Sequence, residues 1–98
     1  MGFSLIWAPV AKLDLWDIIS YISESNPSVA NRFGNSVFES IERLRDFPQS
    51  GRIVPEMEDA DIREIIVSPC RVIYRLSERD HMVEIARIWH AARGTPEI

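Results

Sequence analysis

The apolar positions at the start of the chain predict a short strand followed by a helix. Residues 3–7, FSLIW, form an apolar run that ends at Ala8 and Pro9, and proline suits the first turn of a helix because its φ is fixed. Beyond it, apolar residues recur at helical spacing, namely Leu15, Ile18, Ile19 and Ile22. The pattern therefore predicts a strand over 3–7 and a helix over about 9–24.

A second helical pattern follows after a break. Asn26 is a favourable N-cap residue, and Pro27 suits the first helical position. Apolar residues then repeat every three or four positions, at Ala30, Phe33, Val37, Ile41 and Leu44. We expect this helix to reach about Asp46, because the ring of Pro48 would clash with a preceding helical turn.

The second half of the chain has the composition of strands. Three runs are rich in β-branched and aromatic residues, namely 62–67 (IREIIV), 71–76 (RVIYRL) and 82–90 (MVEIARIWH). The segments SPC and SERDH between them are short enough for hairpins, which predicts an antiparallel meander. The stretch 48–61 has turn residues, two prolines and several acids without periodicity, so we expect a long, exposed and mobile connection.

The order of these elements, βααβββ, predicts an α+β fold of two layers. The helical hairpin should pack on one face of a small, mainly antiparallel sheet. Ninety-eight residues suffice for one core but not for two, so residues 1–98 are expected to form a single domain. No apolar run approaches the length of a membrane span and the N-terminus has no basic signal region, which indicates a cytoplasmic protein without a membrane partner.

Strand alternation divides the meander into two faces. If Val72, Tyr74 and Leu76 face the helices, the opposite face carries arginines among apolar side chains. Its members are Arg71, Ile73, Arg75, Ile85, Arg87 and Trp89. Arginine and tryptophan are enriched at binding hot spots, so we predict that these six residues bind a partner on an otherwise open face. A β-bulge would exchange the faces.

Charge is distributed unevenly along the chain. The net charge of −4 argues against a protein that coats nucleic acid through a basic surface. Residues 61–98 nevertheless contain six arginines, six acids and no lysine, and the rigid guanidinium fork suits contacts with carboxylate or phosphate. These arginines either face an anionic partner or pair across strands with Glu64, Glu78 and Glu84.

Other chemistry has little support in the sequence. The chain has two histidines, one cysteine and no metal-ligand spacing, so neither a metal nor another cofactor is expected. Cys70 lies in an apolar stretch and is interpreted as a small buried hydrophobe. We interpret Trp16 as a packing residue and the acids of the 48–61 connection as a solvated surface.

The order of these features resembles the RelE/ParE superfamily of bacterial type II toxins. After the first strand and the helical hairpin come SGRIVPE and IREIIVSPCRVIYRLSERDHMVEIARIWHAARG, so the resemblance covers nearly the whole chain. Its most specific parts are the middle strand at 71–75, an arginine followed by VIYR, and the last strand, which ends in HAAR at 90–93. This last strand is similar to the ParE side of the superfamily.

The resemblance implies a toxin that a cognate antitoxin neutralises in a toxin–antitoxin hetero-oligomer. The C-terminal segment of such an antitoxin is disordered when free and wraps the toxin as it folds. An acidic and apolar segment of this kind would complement arginines set among Ile73, Ile85 and Trp89. Within the superfamily, ParE-like members poison DNA gyrase, whereas RelE-like members cleave mRNA on the ribosome.

The two modes of action predict different site residues. A nuclease would place Arg71 and Arg93 at the scissile phosphate, with His90 or Tyr74 in proton transfer. The basic residues that cleaving members carry on the first strand of the meander are missing here, and Glu64 on that strand would repel a phosphate. The sequence therefore favours a ParE-like toxin that binds DNA gyrase. Ribosome-dependent mRNA cleavage is the alternative, and an inactive relative retained for binding is a third.

Overall fold

A computed structural model describes residues 2–98 as a helical hairpin beside a single sheet. The regular elements are β1 (Ser4–Trp7), α1 (Pro9–Ser25), α2 (Pro27–Glu42), β2 (Arg52–Ile53), β3 (Ile62–Val67), β4 (Cys70–Ser77) and β5 (Met82–His90). Short 3₁₀ turns follow α2 and β5, at Arg43–Arg45 and Ala91–Arg93. The predicted βααβββ order is confirmed, with the short strand β2 as an addition.

The five strands form one mixed sheet in the order β1-β5-β4-β3-β2. β1 runs parallel to β5, and every other neighbouring pair is antiparallel. A parallel pair needs a long connection, and here everything from α1 to β4 separates β1 from β5 along the chain. The two-layer α+β fold with a mainly antiparallel sheet is therefore confirmed.

The helix boundaries follow from local residues. The side chain of Asn26 accepts a hydrogen bond from the backbone N–H of Val29 at 3.2 Å and so caps α2, with Pro27 in the first turn. α2 ends at Glu42, earlier than expected, because the last turn tightens to 3₁₀ geometry while Leu44 still continues the buried stripe. Neither helix of the described chain is long and apolar enough to cross a membrane.

The core between the helices and the sheet joins the apolar stripes of both layers. Tyr74 lies fully buried at its centre, and its hydroxyl donates to the carbonyl of Pro48 at 2.7 Å and accepts from the N–H of Gly51 at 3.1 Å. A Cβ at Gly51 would lie 2.5 Å from that hydroxyl, so only glycine fits there without a shift. Tyr74 thereby ties the connection between α2 and β3 to the sheet.

A β-bulge in β5 changes the face of one predicted residue. Tyr74 pairs with Ile85, while the preceding residue Ile73 pairs with Arg87, so Ala86 is left as the extra residue. Ile85 consequently lies in the helix-side core and is fully buried there. The prediction that Ile85 belongs to the arginine-bearing face is wrong, because simple alternation does not continue through the bulge.

Candidate functional site

The sheet face away from the helices carries the other five of the predicted partner-binding residues. Cross-strand pairing sets Arg71 opposite Trp89 and Ile73 opposite Arg87, and alternation adds Arg75. Ile73 and Trp89 are buried together in a second, smaller core on this face. We refer to this side of the sheet as the arginine face. The face assignment of these five residues is confirmed, and their role in partner binding stays a prediction.

The connection between α2 and β3 covers the part of the arginine face around Ile73. Its residue Val54 is fully buried, and Met57 packs against the cluster that Val54 forms with Ile73. The backbone N–H of Val54 also donates to the carbonyl of Ile62 at 3.0 Å. Val54 therefore anchors the 48–61 connection to the sheet, while most of the other residues of the connection are exposed, as expected from the sequence.

The C-terminal segment covers the part of the arginine face around Trp89 and Arg87. The indole N–H of Trp89 donates to the carbonyl of Gly94 at 3.2 Å, and Arg87 donates to the carbonyl of Glu97 at 3.0 Å. Pro96 between them is buried. Segments within residues 2–98 therefore cover the arginine face around Ile73 and Trp89, whereas Arg75 at the other end of the face stays exposed and lines an open pocket with Glu84.

The charged centre of the arginine face is a buried carboxylate, Glu64 of β3, which is only 1% exposed. Its two oxygens accept from Nε of Arg52 at 2.6 Å and from Nε of Arg71 at 2.5 Å. The two Nη atoms of Arg71 donate to the two oxygens of Glu56, at 2.9 and 2.8 Å. We call these four residues the Glu64 cluster. Its two arginines and two acids sum to zero charge.

Electrostatics hold the Glu64 cluster in its charged form. The hydrogen bonds from Arg71 are the main reason that the pKa of Glu56 is lowered from 4.5 to about 2. Conversely, hydrogen bonds to Glu56 and then to Glu64 raise the pKa of Arg71 above its usual value. Nε and both Nη atoms of Arg71 each contact a carboxylate. A phosphate group would have to displace one of these acids to bind this guanidinium.

The remaining arginines of the arginine face also pair with acids of the chain. Arg75 donates to Glu84 of β5 at 3.0 Å. Arg87 reaches the carboxylate of Asp14 on α1, with contacts of 2.8 and 3.0 Å. Asp14 also accepts the backbone N–H of Ile88 at 3.0 Å, where β5 extends beyond its pairing with β1. Pairing across strands is therefore confirmed for Glu64 and Glu84, whereas Glu78 forms no ion pair with an arginine among residues 2–98. Asp14 is a partner that the sequence did not indicate.

Trp89 is flanked by two cationic side chains. The guanidinium carbons of Arg87 and Arg93 lie 4.9 and 4.0 Å from the centroid of its ring, within the range of cation–π attraction. Unlike Arg87, Arg93 forms no ion pair with any residue in the described part of the chain. Of the arginines predicted as site residues, Arg93 is therefore the one whose charge is left to solvent or to a ligand.

The residues expected to act in a nuclease do not converge on one point. Tyr74 lies in the helix-side core, on the opposite side of the sheet from Arg71. Burial raises the pKa of the Tyr74 hydroxyl, which is already bonded to two backbone groups. Tyr74 is thus a structural residue in this chain, and it does not face a ligand bound at Arg71.

The other two nuclease candidates lie together at the end of β5. The Nδ1 atom of His90 accepts the backbone N–H of Ala92 at 3.0 Å. His90 and Arg93 also line a small pocket with Asp14 and Asp17 of α1. Two carboxylates share this pocket, so it does not favour an anionic substrate.

Two residues of the site, Glu56 and Asp14, were not indicated by the sequence. Glu56 lies in an acidic segment without periodicity, and nothing local distinguishes it from Glu58. Asp14 lies off the apolar stripe of α1, where a solvated position is the ordinary expectation. The only signal in the sequence was indirect and named neither residue: several arginines on a partly buried sheet face require acids nearby.

Two further predictions, on Cys70 and on metal sites, concern residues outside the ion pairs described above. Cys70 is fully buried, and burial raises the pKa of its thiol to about 11, as expected of a small hydrophobe. Among residues 2–98, no group of three or more His, Cys, Asp or Glu side chains is placed to hold a metal ion. We therefore describe no metal centre in this part of the chain.

An open apolar groove lies on the helical layer. It is lined by Trp7, Lys12, Leu15, Trp16, Ile19 and Phe38. Trp16 is 69% exposed, so the interpretation of Trp16 as a packing residue is wrong. Phe38 is also exposed, and it contacts Trp7 with ring centroids 5.8 Å apart. A contiguous exposed apolar surface of this kind marks an interaction site more often than bare surface.

Glu56→Gln should change the acid stability of the protein. Because the folded state lowers the pKa of Glu56, its ion pair with Arg71 stabilises the fold fully above about pH 4.5, and this contribution is lost as the pH falls towards 2. The variant lacks the contribution throughout, so its free energy of unfolding should fall less steeply over that window. Urea unfolding across the window measures the difference.

Glu58→Gln is the matched control for this measurement, since it removes the same charge from the same segment without breaking an ion pair of the described chain. Its unfolding should follow the native pH dependence through the window. Parallel curves for the native protein and Glu56→Gln would mean that the contact with Arg71 does not form in solution.

Arg87→Ala should destabilise the fold itself. The change leaves Asp14, whose side chain is 10% exposed, without its cation, and loss of one partner of a buried pair costs roughly 3–5 kcal/mol. Arg43 is exposed, so Arg43→Ala should alter the free energy of unfolding by less than about 0.5 kcal/mol. Thermal or urea unfolding of both variants is the measurement, and equal stabilities would mean that the contact with Asp14 contributes nothing.

Comparison with known proteins agrees with the resemblance seen in the sequence. The family model described as the ParE toxin of the type II toxin–antitoxin system parDE matches residues 5–94. Comparison with curated proteins gave no significant match. Among solved structures, the chain is similar to the chromosomal ParDE system of P. aeruginosa, with a TM-score of 0.73 and 22% identity over 91% of this chain and 96% of that one.

Two further structures share the fold at lower identity. The toxin–antitoxin complex RelBE2 of Mycobacterium tuberculosis gives a TM-score of 0.63 and 19% identity, over 92% of this chain and 99% of that one. The E. coli DinJ–YafQ complex gives a TM-score of 0.64 and 11% identity, over 98% and 100%. Because the family match extends over most of the sequence, the chain belongs to the ParE toxin family of type II toxin–antitoxin systems.

Proposed function

We propose that this toxin acts by binding DNA gyrase, without cleaving RNA, and that a cognate antitoxin neutralises it. The gyrase target comes from the resemblance to ParE-like members of the superfamily. The preference for binding over catalysis depends on one observation, the Glu64 cluster. Arg71, the arginine that a nuclease would direct at the scissile phosphate, is bound through Nε and both Nη atoms by Glu56 and Glu64.

Cleavage of RNA has requirements that this face meets poorly. The enzyme must stabilise the charge of the reacting phosphate and exchange protons with the attacking and leaving oxygens. Here the Glu64 cluster is electrically neutral, and its buried acid would repel a phosphate placed at Arg71. Tyr74 lies behind the sheet with its hydroxyl engaged. These contacts support a toxin that works through its surface.

A toxin that acts by binding needs exposed area that a partner protein can bury. The groove beside Trp16 and Phe38 offers such area, since tryptophan is among the residues most enriched at binding hot spots and aromatic residues are enriched at interface cores. We propose this groove as a protein-binding surface. The arginine face remains the proposed site for the antitoxin, with Ile85 withdrawn from that site because it lies in the helix-side core.

The purified toxin should inhibit DNA gyrase in a supercoiling assay or trap cleaved DNA, and addition of the antitoxin should reverse the effect. Trp16→Ala should weaken the inhibition, because removal of a central aromatic anchor typically costs 2 kcal/mol or more of binding energy, on the order of thirtyfold in affinity. Tyr21→Ala is the matched control, since Tyr21 is an exposed aromatic residue of α1 that does not line the groove.

The same preparation should leave mRNA intact in a translation reaction in which 5′ ends are mapped. Codon-specific cleavage that is lost in a folded Arg71→Lys variant would contradict the binding mode, because lysine keeps the charge but not the two-pronged contact. Absence of any effect on gyrase, from toxin that still binds its antitoxin, would remove gyrase as the target. Equal inhibition by the Trp16 and Tyr21 variants would show that the groove is not the binding surface.

A further inference from the structure

The acids that neutralise the arginine face are not held equally firmly. Asp14 lies within α1 and Glu84 within β5, so both are fixed by regular backbone hydrogen bonds. Glu56 instead lies in the turn between β2 and β3. Two residues later, Glu58 has φ of 50°, a left-handed conformation that costs free energy in a residue other than glycine. Release of Glu56 would therefore break fewer helix or strand hydrogen bonds than release of Asp14 or Glu84.

Glu56 is also the more exposed of the two acids in the Glu64 cluster. Its side chain is 32% exposed, whereas the side chain of Arg71 beneath it is 11% exposed. Glu64 lies deeper still and is bonded to both Arg52 and Arg71. Withdrawal of Glu56 alone would leave the two Nη atoms of Arg71 facing outwards in the geometry that accepts both oxygens of one carboxylate.

We propose that Glu56 is an internal placeholder in a carboxylate-binding site at Arg71, and that an acidic side chain of a partner peptide exchanges with it. The identity of that peptide as an antitoxin segment rests on the proposed function, but the site does not. Exchange replaces one two-pronged ion pair by another, so the buried Glu64 keeps both of its cations throughout. A partner could then bind at the arginine face without leaving Arg71 or Glu64 as an unpaired buried charge.

The charge of the opened site selects the class of ligand. Without Glu56 the cluster holds Arg52, Arg71 and Glu64, two positive charges and one negative, which sum to +1. A single carboxylate restores neutrality. A phosphate dianion would bring an excess negative charge close to Glu64, which costs free energy in a site of low solvent exposure. The site therefore favours a glutamate or aspartate side chain over a phosphate group.

The test compares variants of the full toxin in binding a hexaglutamate peptide at low ionic strength, by titration calorimetry. Glu56→Gln removes the competing carboxylate, so it should bind the peptide about tenfold more tightly than the native toxin, the gain expected when a charged hydrogen-bonding site is freed. Glu58→Gln makes the same change in net charge without opening the site and should bind like the native toxin. Equal gains in both variants would reduce the effect to net charge and overturn the proposal.

A double variant locates the site. Arg71→Lys added to Glu56→Gln should abolish most of the gain, because the lysine ammonium lacks the two-pronged fork. A gain that persists in the double variant would show that the peptide binds elsewhere, and stronger binding of inorganic phosphate than of the peptide would overturn the choice of ligand. Since the probe is a peptide, failure here leaves the gyrase and antitoxin proposals standing, and failure of those leaves this result intact.

Discussion

The architecture of the arginine face follows from one constraint, the buried carboxylate of Glu64. A carboxylate with 1% exposure in the middle of a sheet is tolerated only if cations and hydrogen-bond donors surround it. Arg52 of β2 and Arg71 of β4 meet that need from the strands on either side. Arg71 is itself mostly buried, so its two Nη atoms require a carboxylate, which Glu56 supplies from the turn before β3. This contact holds the turn over the sheet beside Val54.

This closure explains why the two sides of the molecule differ. On the sheet, Arg71, Arg75 and Arg87 each pair with acids of the chain, and the C-terminal segment covers Trp89. On the helical layer, apolar side chains such as Trp16 remain exposed beside a groove. A surface with neutralised arginines is poorly suited to phosphate chemistry, whereas an exposed aromatic groove is suited to contact with another protein. This division of the surface is the physical basis of the proposal that the toxin acts by binding.

Periodicity predicted the elements, because the helices and strands each bury one face and their apolar residues repeat accordingly. The position of the bulge, at Ala86, escaped prediction, since Ile85 is apolar and fits either face until the register is known. The ion pairs escaped it for a different reason. Glu56 and Glu58 are chemically alike and only two residues apart, and long-range packing alone decides which of them meets Arg71. The sequence indicated that the arginines required acids, but not that the cover would come from the same chain.

The central claim is that the acids of the toxin itself hold Arg71, and proton–nitrogen NMR of its guanidinium Nε–H tests this most directly. If Glu64 and Glu56 bind the side chain as described, this proton should exchange slowly with water. Its chemical shift should also stay unchanged when phosphate is added. The Nε–H of exposed Arg43 gives the reference for a solvated side chain. Exchange as fast as that of Arg43, with a shift that moves on addition of phosphate, would contradict the account.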